Sequence, residues 1–225
     1  NSINADMIKI ENIKKSFPDK KILSGISASF ETGKTNLIIG QSGSGKTVLL
    51  KSMVGLIIVD EGKIFFDDRQ FNSQKIDKQR KIRRELGMVF QGGALFTSET
   101  IEDNVKFPLD MFTKLSKKEK IKKVHESLEK VNVNNVSNAF PAEISGGMQK
   151  RVAIARAIVM RPKYLFCDEP NSGLDPITSI RIDNLIKKIT KEFNITTIVN
   201  THDMNSVKNI GDNILFLHKG QKWWE

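Results

Sequence analysis

The chain has one cysteine, Cys167, so no disulfide can form within it. A lone thiol fits a reducing compartment. Long apolar runs are also missing: no uninterrupted stretch approaches the roughly 18 residues a membrane-spanning helix needs. Asn1 to Lys15 has no apolar segment of the kind at the centre of a secretion signal, so none is expected, and Met7 is a candidate natural start behind Asn1–Asp6. There is no internal repeat, sustained heptad pattern or low-complexity tract. Aromatic residues make up 7% of the chain, and no basic–aromatic motif accompanies its positive charge, which argues against a nucleic-acid partner.

What is present is ordinary in bulk. The 225 residues are 39% hydrophobic and 28% charged, which suits one domain with a sizeable core and room for a subdomain. The net charge of +10 has three readings, in order of weight: lysine-rich solvated faces, a surface turned toward anionic lipid, and nucleic acid.

The periodicities give an organisation. Met7–Phe17 alternates loosely up to Pro18-Asp19-Lys20, and Ile22–Phe30 alternates again, which predicts strands of an antiparallel sheet. The short apolar run Asn36–Ile39 leads directly into Gly40, and Thr47–Val54 has apolar residues at helical spacing. Lys63–Phe66 and Gly87–Gln91 read as strands and Gln74–Glu85 as a charged surface helix. Ser116–Val131 is a lysine-rich helix in which Ser116 and Glu119 have capping-box spacing. Gly147–Met160 predicts a helix stopped by Pro162, and Ile177–Glu192 another. Tyr164–Cys167, Ile195–Val199 and Asn213–Leu217 read as strands, the last of these closing the sheet. Strands alternating with helices predict a parallel α/β sheet, with a helical subdomain inserted after residue 91.

Several segments carry chemistry. Gly40-Gln41-Ser42-Gly43-Ser44-Gly45-Lys46-Thr47 fits G-x-x-x-x-G-K-[ST] and lies between a strand and a helix, the context a phosphate loop requires. Its glycines let main-chain N–H groups approach phosphate oxygens, and the following helix points its positive end at the anion. Lys46 is then the residue for the β- and γ-phosphates and Thr47 a ligand for Mg²⁺. Leu165-Phe166-Cys167-Asp168-Glu169 brings two acids to a strand's carboxyl end, where open α/β sheets bind ligands. Asp168 is read as part of the Mg²⁺ shell and Glu169 as the group that orients and polarises water. Gln91 and His202 each follow a strand; Gln91 is placed to contact Mg²⁺ or water and His202 to donate to the γ-phosphate, against the plainer reading of both as surface residues. Ser145-Gly146-Gly147 opens a helix and makes a second anion cradle. One nucleotide does not need two cradles from one chain, so the second is read as capping ATP held by a partner subunit.

This set, in this order, resembles the nucleotide-binding domain of an ABC transporter. The resemblance makes Gly40–Thr47 the Walker A loop, Gln91 the Q-loop, Ile144–Met148 the signature, Leu165–Glu169 Walker B, Ser172–Asp175 the D-loop and His202 the switch histidine. It implies a single ATPase domain over 1–225, α/β in class: a P-loop NTPase (RecA-like) core (7–91 and 160–225), an antiparallel β subdomain and an inserted helical subdomain (about 92–159). It further implies ATP and Mg²⁺ as cofactors, with Thr47, Gln91 and Asp168 toward the metal, Glu169 as catalytic base, Phe17 stacked on adenine and Asp175 at the nucleotide. Two copies would close head to tail around two ATP molecules, each capped by the opposite Ser145, Gly146 and Gly147. Met148 stands where the family's signature usually has Gln; the serine and both glycines remain.

Phe90–Thr97, Asn104-Val105, Ile144–Met148 and Asp175–Thr178 look more narrowly like the ATPase subunit of Mla-type phospholipid transporters. That resemblance implies lipid transport at the cytoplasmic face of the bacterial inner membrane, with a separate permease docking near Gly92–Asn104, through Leu95 and Phe96, and an MCE-type lipid-binding subunit. Amino-acid and methionine importers share much of the pattern and form the alternative, as does a non-transport ABC ATPase such as an iron–sulfur assembly factor. Trp223-Trp224 either packs on the domain or meets a partner.

Overall fold

Two sheets organise the structure, a computed structural model that describes residues 7–73 and 75–224. Asn1–Asp6, ahead of the candidate start, and Gln74, the first residue of the expected surface helix, lie outside the described residues. Strands β1 (Ile8–Phe17) and β2 (Lys20–Phe30) form a hairpin about Pro18-Asp19. Then come β3 (Thr35–Ile39), α1 (Lys46–Met53), β4 (Glu61–Phe66), β5 (Arg69–Gln70), α2 (Ile76–Arg83) and β6 (Leu86–Val89). Three helices follow, α3 (Ile101–Phe112), α4 (Lys117–Lys130) and α5 (Gly146–Ile158). The chain continues through β7 (Tyr164–Asp168), α6 (Pro176–Phe193), β8 (Thr196–Thr201), α7 (Met204–Ile210), β9 (Asn213–His218) and β10 (Gln221–Trp224).

The first sheet is antiparallel, in the order β2-β1-β4-β5. The second runs β10-β9-β3-β8-β7-β6, parallel throughout except at the edge strand β10. Strands β7 and β8 are buried along their whole length, as expected of a parallel sheet covered on both faces. On one face, Ile38, Tyr164, Phe166 and Ile198 pack with Leu49 of α1 and with Ile8, Ile10, Leu23 and Phe66 of the antiparallel sheet. On the other, Leu37, Val89, Leu165, Cys167 and Val199 pack with Val105, Val124, Ile154, Ile158, Ile182 and Ile186 of α3 to α6. Local chemistry sets the helix ends. Ser116 and Glu119 form the capping box of α4, Thr100 caps α3, and Asp175 followed by Pro176 starts α6.

Three differences from the sequence reading have simple causes. The strand expected to reach Gln91 stops at Val89, which places Gln91 in the turn that follows. Helix α3 contains Pro108, a residue that ordinarily breaks a helical pattern. The strand Asn213–Leu217 is followed by another: Trp223 and Trp224 lie in β10, both exposed, with the Trp223 ring edge-on to His218 at 5.5 Å.

A polar network ties the two sheets. The Tyr164 hydroxyl donates to Asp67 Oδ2 (2.8 Å), and Arg69 makes a forked pair with Glu85 at 2.9 and 2.7 Å. Burial, then the Asp67 acceptor, pushes the phenol well above its ordinary range, so the hydroxyl stays a donor. Tyr164→Phe removes the bond to Asp67 and the one the hydroxyl accepts from Arg69 Nη2 at 3.3 Å, and should cost about 1–3 kcal/mol. Urea unfolding is expected to read that loss.

Candidate nucleotide-binding and catalytic site

The parallel register brings the site together. Ile39 pairs with Thr201, Asp168 with Asn200, and Val89 with Cys167, so four neighbouring strands end side by side. The loop leaving β3 turns back toward β9: Gly40 has φ 152°, and a Cβ there would sit 2.3 Å from the Leu217 carbonyl oxygen. Gly45 is left-handed at φ 103° and caps α1. The Lys46 side chain is buried and its Nζ donates to the carbonyls of Gly40 (2.8 Å) and Gln41 (3.1 Å). Burial pulls its ammonium pKa down, and the nearby Glu169 and Asp168 oppose that. The Ser44 hydroxyl is buried without a hydrogen-bond partner. Gly45 and Lys46 line a cleft of about 330 Å³ together with Ser42, Gly43, Thr47, Gln91 and Glu169.

The acids meet the loop at the floor of this cleft. Thr47 Oγ1 donates to Asp168 Oδ1 at 3.0 Å, and Asn200 Nδ2 donates to the same oxygen at 3.2 Å. Asn200 Oδ1 is buried without a partner. The described residues hold no group of three or more His, Cys, Asp or Glu that could bind a metal alone. One carboxylate and one hydroxyl at hydrogen-bond distance fit Mg²⁺, which takes one or two protein oxygens and completes its shell with water and phosphate.

Glu169 is held on three sides. Its backbone is left-handed at φ 45°, a conformation unusual outside glycine and asparagine, and its N–H donates to Asn200 O at 3.1 Å. Oε2 accepts from Gln91 Nε2 (3.1 Å), and Oε1 pairs with His202 Nδ1 (3.0 Å). Gln91 is itself gripped at its carbonyl by the Lys150 ammonium of α5 and by Ser172 Oγ at 3.4 Å. A carboxylate fixed this way can orient a water against a bound phosphate and accept its proton.

Other expected residues lie elsewhere. Ser145 caps α5, its Oγ accepting from Met148 N–H at 3.3 Å, and neither Ser145, Gly146 nor Gly147 lines the cleft. Gly147 has a packing role that the phosphate reading overlooked: a Cβ there would meet Thr178 Cγ2 of α6 at 2.8 Å. Asp175 is exposed and committed to its own helix, accepting from the N–H groups of Ile177 (3.1 Å) and Thr178 (3.0 Å). Phe17 is exposed at the β1–β2 turn, outside the cleft lining, with Lys15 Nζ 5.5 Å from its ring. Its cross-strand partner Lys20 does line the cleft. The sequence reading missed Lys20, Ile22, Lys150 and Asn200. Asn200 was hidden because β8 was expected to end at Val199.

A second concavity, of about 400 Å³, lies beside the Q-loop. Phe90, Phe96, Phe107 and Phe112 line it, with Arg83, Arg84 and Arg156 among the other walls. Of the two residues expected at a permease contact, Leu95 packs against the core and Phe96 lines this concavity, which also reaches α2 and α3. Asn104 is fully buried and holds the Phe96–Thr100 turn through Phe96 N–H and the carbonyls of Phe96, Glu99 and Thr100.

Residues 23–172 match the family model described as ABC transporter. The chain belongs to the ABC transporter family. It is an ABC ATPase cassette by fold as well. The dimeric structure of MJ0796, described as a bacterial ABC transporter cassette, is 32% identical with a TM-score of 0.88 over 96% of this chain and 97% of that one. The same cassette, in a dimeric post-hydrolysis state bound to ADP and Pi, gives a TM-score of 0.87. The methionine import ATP-binding protein MetN of Clostridium tetani is 43% identical over 94% of this chain, and the probable ribonucleotide transport ATP-binding protein mkl of Mycobacterium leprae is 36% identical over 94%. The chain spans 66% and 61% of the lengths of these two relatives.

Lys46→Ala is expected to weaken ATP binding roughly 10- to 100-fold, because it removes a charge-assisted phosphate contact. Calorimetric titration checks this, and unchanged affinity would refute the loop assignment.

Proposed function

We propose that this chain is the ATP-binding and ATP-hydrolysing subunit of an ABC importer, working as a head-to-tail pair that drives a separate permease. The observation that carries the reading is the placement of Glu169 between Gln91 and His202, beside the phosphate loop. Lys46 and the loop N–H groups hold the β- and γ-phosphates, Phe17 stacks on adenine, and Thr47 and Asp168, with Gln91, hold Mg²⁺. When bound there, Mg²⁺ would supply charge neutralisation at the phosphates. Glu169 orients a water and takes its proton as the water oxygen attacks the γ-phosphorus, and the bond to the bridging oxygen of ADP breaks. His202 fixes Glu169 and donates to the γ-phosphate. Positioning and charge compensation supply most of the acceleration in such transfers.

Half of the phosphate environment comes from the second copy in this reading. The signature lies outside its own chain's cleft, and a cassette of 32% identity is dimeric. Ser145, Gly146 and Gly147 then cap the partner's ATP through the positive end of α5, with Asp175 at the same junction. Closure moves the helical segment 92–159 against the core formed by 7–91 and 160–225. No helix among the described residues is long and apolar enough to cross a membrane. In this reading the subunit meets the cytoplasmic face of the inner membrane peripherally, through its permease. The aromatic groove walled by Arg83, Arg84 and Arg156 suits an apolar permease segment carrying acidic residues.

Methionine-import relatives favour an amino-acid-type importer. The lipid reading and its MCE-type subunit find no support among them, and rest on the motif segments Phe90–Thr97, Asn104-Val105, Ile144–Met148 and Asp175–Thr178. Affinity capture from detergent-solubilised membranes separates the two. A permease with a solute-binding component supports the importer, a permease with an MCE-type subunit supports lipid transport, and soluble partners alone overturn both.

Glu169→Gln should retain ATP binding, lower turnover at least about 100-fold and trap an ATP-dependent dimer. Chromatography with light scattering reads the dimer, and wild-type turnover in this variant removes Glu169 from the role of base.

A further inference from the structure

Glu169 and His202 stand at the ends of β7 and β8, on two different loops, and their hydrogen bond requires those loops to keep a fixed separation. Each loop leads to a buried polar side chain. Asn171, two residues beyond Glu169, is 8% exposed, and Ser206, in the first turn of α7, is 1% exposed. Asn171 Nδ2 donates to Ser206 Oγ at 2.9 Å and to Asp183 Oδ1 at 3.3 Å. Ser206 Oγ reaches Asp203 Oδ2 at 3.4 Å, and Asp203 caps α7 by accepting from Asn205 N–H at 2.9 Å. The acid at the base of this network, Asp183, lies on α6, is 2% exposed and makes no ion pair among the described residues.

Stability gives no reason for that carboxylate. Burial pushes it up to about 6; the nearby Ser206 hydroxyl opposes the shift and the charge of Asp203 adds to it. With a folded value above the ordinary 3.8, the ionised form is penalised in the folded state. The penalty is complete above pH 6 and is relieved as pH falls toward 4. A neutral side chain would be the better structural choice, and acids retained at such sites tend to serve function.

We propose that Asp183 is a positioning residue for hydrolysis: through Asn171 and Ser206 it sets the separation of the Glu169 and His202 loops. The inference rests on the ATPase reading above. Asp183 touches neither nucleotide nor water in this account and acts only through the two loops. Within the network Asn171 is the hub, since its one amide nitrogen serves both α6 and α7.

Steady-state ATPase kinetics on the full chain test this. Asp183→Ala should lower kcat about 10-fold and leave KM for ATP within about 2-fold. Asp183→Asn retains an acceptor for Asn171, so it should recover most of kcat. It should also raise Tm at pH 8 by roughly 2–4 °C, because it removes the buried charge. In a His202→Ala background, Asp183→Ala should lower kcat by less than about 2-fold further, since the spacing it protects no longer matters. Additive losses in that background, or wild-type kcat in Asp183→Ala, would overturn the proposal. If Asp183→Ala does not fold, Ser206→Ala carries the same cycle, as it cuts the link to α7 without burying a charge. Wild-type turnover measured alongside separates the two claims: variants without effect on an active enzyme overturn the positioning role alone, whereas an inactive wild type overturns the ATPase reading and this inference with it.

Discussion

The register of four parallel strands is the constraint on which the rest of the site depends. Hydrogen bonding of β3 to β8, β8 to β7 and β7 to β6 fixes where each strand ends to within one residue. A slip of one residue would turn every side chain to the opposite face. With the observed register, the phosphate loop, Asp168 with Glu169, Asn200 with His202, and Gln91 leave the sheet at neighbouring points. Both faces of the sheet are packed, so the strand ends do not shift independently. The positions of the strand ends are thus inherited from the core, and the loops, with the buried polar side chains that tie them, set the side chains within that frame.

The loops do so at some conformational expense. Glu169 is left-handed, Gly40 permits an approach that no other residue could make, and Asp183 is a carboxylate without a cation. These are features that packing alone would not favour, and Glu169 among them lines the cleft. The signature helix reaches the same region from a different direction. Lys150 on α5 grips the Gln91 carbonyl, and Gly147 lets α5 approach α6. Helix α5, which also carries Arg156 of the aromatic groove, thus touches both Gln91 and α6.

Much of this was legible in the amino-acid order, for identifiable reasons. The glycine loop before α1, the two acids at the end of β7 and the capping box at Ser116 are local patterns, and local chemistry is readable from a single chain. The α/β class followed from alternating strand and helix periods. What escaped was either long-range or masked by an exception. Helix α3 contains a proline, β10 follows a turn too short to announce another strand, and Leu95 looks as exposed in sequence as Phe96 although it packs inward. The network of Asp183, Asn171 and Ser206 joins residues far apart in sequence, and no spacing rule connects them.

The central claim is that each nucleotide site is assembled from two chains, and mixed variants test it most directly. Lys46→Ala damages the phosphate loop and Ser145→Arg blocks the signature, so each homodimer has two broken sites. If the cap acts between chains, a mixed dimer has one site with both defects and one intact site. Equimolar mixing of the two inactive proteins should then restore ATP hydrolysis, up to about a quarter of the wild-type rate per chain. A mixture no more active than its separate components would contradict the account.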